Sequence, residues 1–150
     1  MELEVIRSST GKGVGLLHYR HTANPSWIPI RADYFIFTHD LSLIGKDVKT
    51  NGRYFTHRYA TSDDGRYLLI EEMEFDGSQE SIDQHNSRLI VIDAEKSIEG
   101  YVGCIKRRRI FPKSVDGERL IYAKQKFSES GVEHDFERDL SSITEWNKLG

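Results

Sequence analysis

Turn-forming residues interrupt this chain so often that no long helix can run through it. Between the interruptions lie short runs rich in β-branched, aromatic and aliphatic side chains. Leu3–Arg7 and Val14–Tyr19 flank the polar stretch from Ser8 to Gly13, and Tyr34–Phe37 is aromatic or β-branched throughout. Asp47–Phe55 carries Asn51-Gly52 between two extended runs. Both central residues of a type I′ turn need positive φ, so this segment predicts a hairpin. Asp64-Gly65 turns the chain again before Arg66–Ile70 and its acidic continuation to Asp76. Further runs are Arg88–Ile92, Tyr101–Ile105, Arg109–Phe111, Arg119–Phe127 and Val132–Leu140. Asn24–Pro29 reads as a loop because of its two prolines. The polar stretch 77–86 reads as a loop or one short helix. The spacing of Ile143, Trp146 and Leu149 allows a short C-terminal helix with those three side chains inward. About ten strands with short connections predict an all-β fold of antiparallel sheets. A chain of 150 residues holds one such domain, spanning 1–150.

The charge is uneven. Residues 1–60 hold eight Lys/Arg against five Asp/Glu, residues 61–100 three against eleven, and residues 101–150 ten against eight. An acidic middle argues against nucleic-acid binding, which needs clustered cations, and favours a basic protein partner. The contrary feature is Lys106-Arg107-Arg108-Arg109. Such a run can grip phosphate, but between two β-prone stretches it reads equally as a solvated turn or a strand edge guarded against pairing. No apolar run approaches the length of about 18 residues that a membrane span needs. The first ten residues carry acids where an export signal carries cations. A lone Cys104 suits a reducing compartment, so the expected location is the cytoplasm.

Catalytic chemistry finds little support in the residue pattern. Gly11-Lys12-Gly13-Val14-Gly15 has the spacing of neither a P-loop nor a dinucleotide fingerprint and reads as a turn or bulge. Six histidines, at 18, 21, 39, 57, 85 and 134, show no metal-ligand spacing, and no cofactor or metal is expected. Cys104 in a β-prone stretch is by default an inert buried thiol. A hydrolase built on His18, His57 and Lys12 is conceivable, but six histidines allow many such sets. The reading is a protein that is not an enzyme.

The acidic strands carry more information. Alternation along Tyr67–Asp76 puts Leu68, Ile70, Glu72, Glu74 and Asp76 on one face, and Leu69, Glu71, Met73 and Phe75 on the other. The strand should start in the core and emerge as an acidic surface, continued by Glu80 and Asp83. In the last strand Glu133, Asp135, Glu137 and Asp139 share a face opposite His134, Phe136, Arg138 and Leu140. Such carboxylate rows are either an ordinary solvated face or a patch that docks cations. Trp27, in the proline loop, is a candidate interface anchor.

Ser62-Asp63-Asp64-Gly65 recurs as Ser114-Val115-Asp116-Gly117, each leading into a hydrophobic strand. Asp40, Asp93 and Asp139 end β-prone runs at a spacing near 50 residues. This pattern resembles the blade repeats of TolB-type and WD-repeat β-propellers over residues 34–145, implying an incomplete propeller-like or sandwich arrangement of about three blades. Closed propellers have at least four blades. In size and general character the chain also resembles bacterial immunity proteins paired with contact-dependent growth-inhibition and related polymorphic toxins. That resemblance implies docking on a basic toxin domain, for example a nuclease. The candidate contacts are Glu72, Glu74, Asp76, Glu80 and Asp83, a second patch of Glu133, Asp135, Glu137 and Asp139, and Trp27. The alternative is a propeller-derived scaffold subunit that assembles through open sheet edges.

Overall fold

A computed structural model describes residues 3–19, 27–31, 34–48, 50, 52–74, 86–106, 108–126 and 134–150. It bears out the all-β expectation. The strands are β1 (Leu3–Arg7), β2 (Gly13–Tyr19), β3 (Trp27–Arg31), β4 (Tyr34–Phe37), β5 (His39–Leu43), β6 (Tyr54–Thr61), β7 (Tyr67–Glu74), β8 (Asn86–Asp93), β9 (Ile98–Ile105), β10 (Arg108–Asp116), β11 (Arg119–Lys126), β12 (His134–Asp139) and β13 (Trp146–Lys148). Eight of them form one sheet in the order β1-β2-β5-β6-β7-β8-β9-β13; β10-β11-β12 form a second sheet and β3-β4 a hairpin. Every pairing among the described strands is antiparallel.

The large sheet is weakly joined at one place. β5 meets β6 only at His39 opposite Phe55, and beyond that point the chain between them fills the gap. Thr50 N–H donates to the Leu41 carbonyl at 3.2 Å, while its hydroxyl bonds both the N–H and the carbonyl of Leu41. The two halves of the sheet thereby enclose a first core of Ile6, Val14, Leu17, Leu41, Leu43, Phe55, Leu68, Ile70, Ile90, Ile92 and Leu149. On the opposite face β10 crosses β6, β7, β8 and β9 in turn. It closes a second core with Leu69, Leu89, Val91, Val102, Ile110, Val115, Leu120, Tyr122 and Ile143. β7 and β8 are thus covered on both faces and are buried along most of their length.

Four local expectations are corrected. In the first arm of the expected Asn51-Gly52 hairpin, Asp47, Val48 and Thr50 are not in a strand. Thr50 is drawn to the edge of β5 instead, although Gly52 keeps the positive φ of 74° expected of a turn; Lys49 and Asn51 lie outside the described residues. Trp27–Pro29 is strand, not loop, with Pro29 opposite Phe35. A two-stranded hairpin has only edges, where a missing N–H is tolerated. The C-terminal helix is absent: a 3₁₀ turn, Leu140–Ser142, leads to β13, which pairs with β9. The open edge of β9 offers that segment backbone partners, and the expected side chains still pack. Ile143 and Leu149 are buried, on opposite faces of the sheet. The Lys106–Arg109 run is no solvated edge throughout, because Arg109 turns inward and is buried.

Both S-x-D-G turns lie in hairpins, but they close differently. Ser62 N–H donates to Tyr67 across a four-residue loop, whereas Asp116 faces Arg119 directly across Gly117-Glu118.

Candidate functional site

The acids of the middle strands are mostly used inside the molecule. Glu71, at the centre of β7, is fully buried. Its carboxylate accepts from Arg109 Nε at 3.1 Å and from Arg109 Nη2, from the Ser87 hydroxyl at 2.7 Å and from the Thr56 hydroxyl at 2.8 Å. Burial alone would raise this carboxyl; the charge and hydrogen bonds of Arg109 and the Ser87 hydroxyl overcome it and hold the group below its ordinary value. The pair fastens β10 of the small sheet to β7 of the large one.

Glu72 faces the other way and meets a second cluster. Arg53 Nε and Nη2 donate to its two oxygens at 2.8 Å, and Arg88 Nε donates at 2.8 Å. Arg53 also forms a two-point contact with Glu99, at 2.6 and 2.8 Å. Expected on an exposed acidic face, Glu72 is instead only 4% exposed, with its oxygens taken by arginines from β8 and the chain before β6. Asp93, at the end of β8, is likewise occupied by Arg66 and by the N–H groups of Glu95 and Lys96. Burial opposes ionisation of Asp93, but these bonds hold its carboxyl below its ordinary value. Glu74 is exposed, and the Cys104 thiol donates to it at 3.8 Å. Asp76, Glu80 and Asp83 lie outside the described residues.

The structure keeps three members of the second patch together. Asp135, Glu137 and Asp139 are exposed at alternate positions of β12, the edge strand of the small sheet; Glu133 lies outside the described residues. The row is partly met by cations: Lys113 Nζ lies 3.1 Å from Asp135 and Arg119 3.9 Å from Glu137, all four side chains being substantially exposed. Such exposed pairs contribute about 0–1 kcal/mol each. On the opposite face of β12, Phe136 stacks on Tyr122 while remaining exposed, and Arg138 donates to the Val102 carbonyl at 2.6 Å. Trp27 falls on β3, where the backbone alone is described.

Arg53, Arg88 and Arg109 were not singled out by sequence reasoning as partners of the acids. The available signal was Glu71-Glu72 set in the run Leu68-Leu69-Ile70 and Met73. Two carboxylates inside an apolar strand require cations from neighbouring strands.

Among the described residues the remaining chemistry-bearing groups do not converge. Gly11 and Lys12 form the β1–β2 turn, with Gly11 at φ 88°. A cleft of about 190 Å³ beside it is lined by Lys12, Ile44, Lys46, Arg66 and Glu95. There Lys46 Nζ donates to the Glu95 carbonyl and Arg66 is bound to Asp93. His39 and His57 lie edge to face, with ring centres 6.1 Å apart. Burial pushes the Cys104 thiol above its ordinary value, away from a reactive thiolate. Among the described residues no three His, Cys, Asp or Glu side chains are placed to hold a metal ion, and no helix is long and apolar enough to cross a membrane. Comparison of the chain with protein-family models, curated proteins and solved structures finds no significant match.

Proposed function

We propose that this chain is a non-enzymatic, cytoplasmic binding protein of the immunity or inhibitor kind, which neutralises a basic toxin domain by docking on it. The observation that carries the reading is the β12 row. Asp135, Glu137 and Asp139 stand exposed together, whereas Glu71, Glu72, Asp93 and Glu99 are engaged with arginines inside the molecule. Among the described residues, the candidate acids that stand exposed as a row are those of the small sheet, and a basic protein is their complement. Long-range attraction to such a row speeds encounter and weakens with salt. A nuclease toxin has the required positive surface, and carboxylates can occupy a site built for phosphates.

The test is the charge-reversed double variant Asp135→Lys/Glu137→Lys, compared with the parent chain. In native cell extract the parent should retain a basic protein at low salt and release it at high salt, and its co-expression should suppress that protein's toxicity. The variant should lose both, by more than about 1 kcal/mol in affinity, and show a flatter salt dependence. An unchanged affinity sinks acidic docking.

A scaffold assembled through sheet edges is the second reading. It is favoured by β1, an edge strand of the large sheet on which Leu3 is 45% exposed. It predicts self-association, insensitive to salt, in size-exclusion mass measurements.

A further inference from the structure

The pairing of β12 with β11 determines which of its backbone groups face outward. Leu140 N–H donates to the Glu118 carbonyl at 2.6 Å, one step beyond the register Arg119–Asp139, Ile121–Glu137 and Ala123–Asp135. In an antiparallel ladder, directly opposed pairs alternate between those that exchange both hydrogen bonds and those that exchange none. The bonded pairs are therefore Leu120–Arg138 and Tyr122–Phe136. Asp135, Glu137 and Asp139 turn their N–H and carbonyl groups away from β11, toward the open side of the sheet. The Asp139 carbonyl is taken by the Ser142 hydroxyl at 2.6 Å. Asp135 and Glu137 thus present outward-facing backbone pairs, and the same two residues carry exposed carboxylates.

An edge of this kind selects its occupant. A second copy of β12 would set like charges opposite one another, which is unfavourable in directly opposed strand positions. An extended segment with Lys or Arg at alternate positions would place a cation opposite each acid while its backbone continues the ladder. The cross-strand contacts of Lys113 and Arg119 come from the β10 and β11 side, and among the described residues no strand pairs with the outer side of β12.

We propose that a basic extended segment of the partner adds to β12 as a fourth strand of the small sheet. Its backbone pairs with Asp135 and Glu137, and its alternate cations meet their carboxylates. The proposal rests on the acidic-docking reading and specifies its geometry.

The probe is the capped heptapeptide Lys-Val-Lys-Val-Lys-Val-Lys, titrated into the whole chain at about 20 mM salt, where surface charges are weakly screened. Two N-methylated versions accompany it. Residues opposite Asp135 and Glu137 must donate their N–H groups to β12, so methylating the lysine nitrogens should weaken binding at least about tenfold. Methylating the valine nitrogens, which face away, should leave affinity near that of the parent peptide. Amide exchange at Asp135 and Glu137 should slow on binding. On the protein side, Glu137→Pro removes the outward N–H and should bind more weakly than Glu137→Gln, which removes charge alone. Should the proline variant fail to fold, the methylated peptides still decide. Equal affinity of all three peptides overturns strand addition but leaves docking by charge standing. Failure of the parent peptide to bind also overturns strand addition, whereas docking by charge falls only if the double variant Asp135→Lys/Glu137→Lys leaves whole-partner affinity unchanged.

Discussion

At Glu71 a carboxylate sits where no water reaches it, held by one arginine and two hydroxyls. Removing one partner of such a pair is far costlier than removing both, because a lone buried charge has nothing to offset its lost hydration. Arg109→Met should therefore destabilise the fold by about 3–5 kcal/mol, measured by urea unfolding. The double variant Glu71→Leu/Arg109→Met should recover most of that loss, though not all, since Thr56 and Ser87 lose their acceptor. A double variant no better than the single one would show that the pair is not the source of the cost. Alternation correctly placed Glu71 beside Leu69 and Met73 on one face of β7. It could not say that Arg109, 38 residues further on, would close over that face. A period of two residues assigns a side chain to a face, and what covers the face depends on strands distant in sequence.

Among the elements, β5 and β13 depend most on contacts that local pattern does not reveal. Thr50 replaces a missing neighbour strand for Leu41, and both residues are buried. Thr50→Val keeps the shape and deletes the hydroxyl, leaving Leu41 N–H without that acceptor. A loss of about 1–3 kcal/mol is expected in thermal or urea unfolding. β13 reaches β9 over Gly100, where an added Cβ would collide with Ile143 Cγ2. Gly100→Ala should cost about 1–3 kcal/mol and loosen the C-terminal segment first, seen as faster amide exchange at Trp146–Lys148. Unchanged protection there would mean that the segment is not held by this approach. The helix reading of 142–149 failed because Ile143, Trp146 and Leu149 satisfy either a helical spacing or an extended segment straddling a sheet. The unpaired edge of β9 favours the second.

The whole molecule is two sheet halves joined at His39–Phe55, with a third layer fastened across one of them by Arg109. This construction predicts a two-stage loss of stability on acidification. Burial holds His39 below its ordinary value, with His57 adding to the effect and the Phe55 carbonyl and Asp40 opposing it. The unfolded chain thus takes up a proton near pH 6.5 that the folded chain resists. Stability should begin to fall below about pH 6.5, and His39→Gln should flatten that first step in melting temperature against pH. The carboxyls of Glu71, Asp93 and Asp64 lie below their ordinary values. Their contribution is present above the unfolded carboxyl range and should be lost as pH falls through about 4 and below. A profile flat from pH 7 to 5 would remove His39 from this account. By itself the sequence determined the strand class, the antiparallel pairing and the placing of Asp135, Glu137 and Asp139 on one face of β12, because each follows from turn residues and alternation over a few neighbours. Only the tertiary structure decided which acids face the solvent, since that depends on arginines brought in from strands far along the chain. It also decided the conformation of the last residues, where an open sheet edge outweighed local spacing.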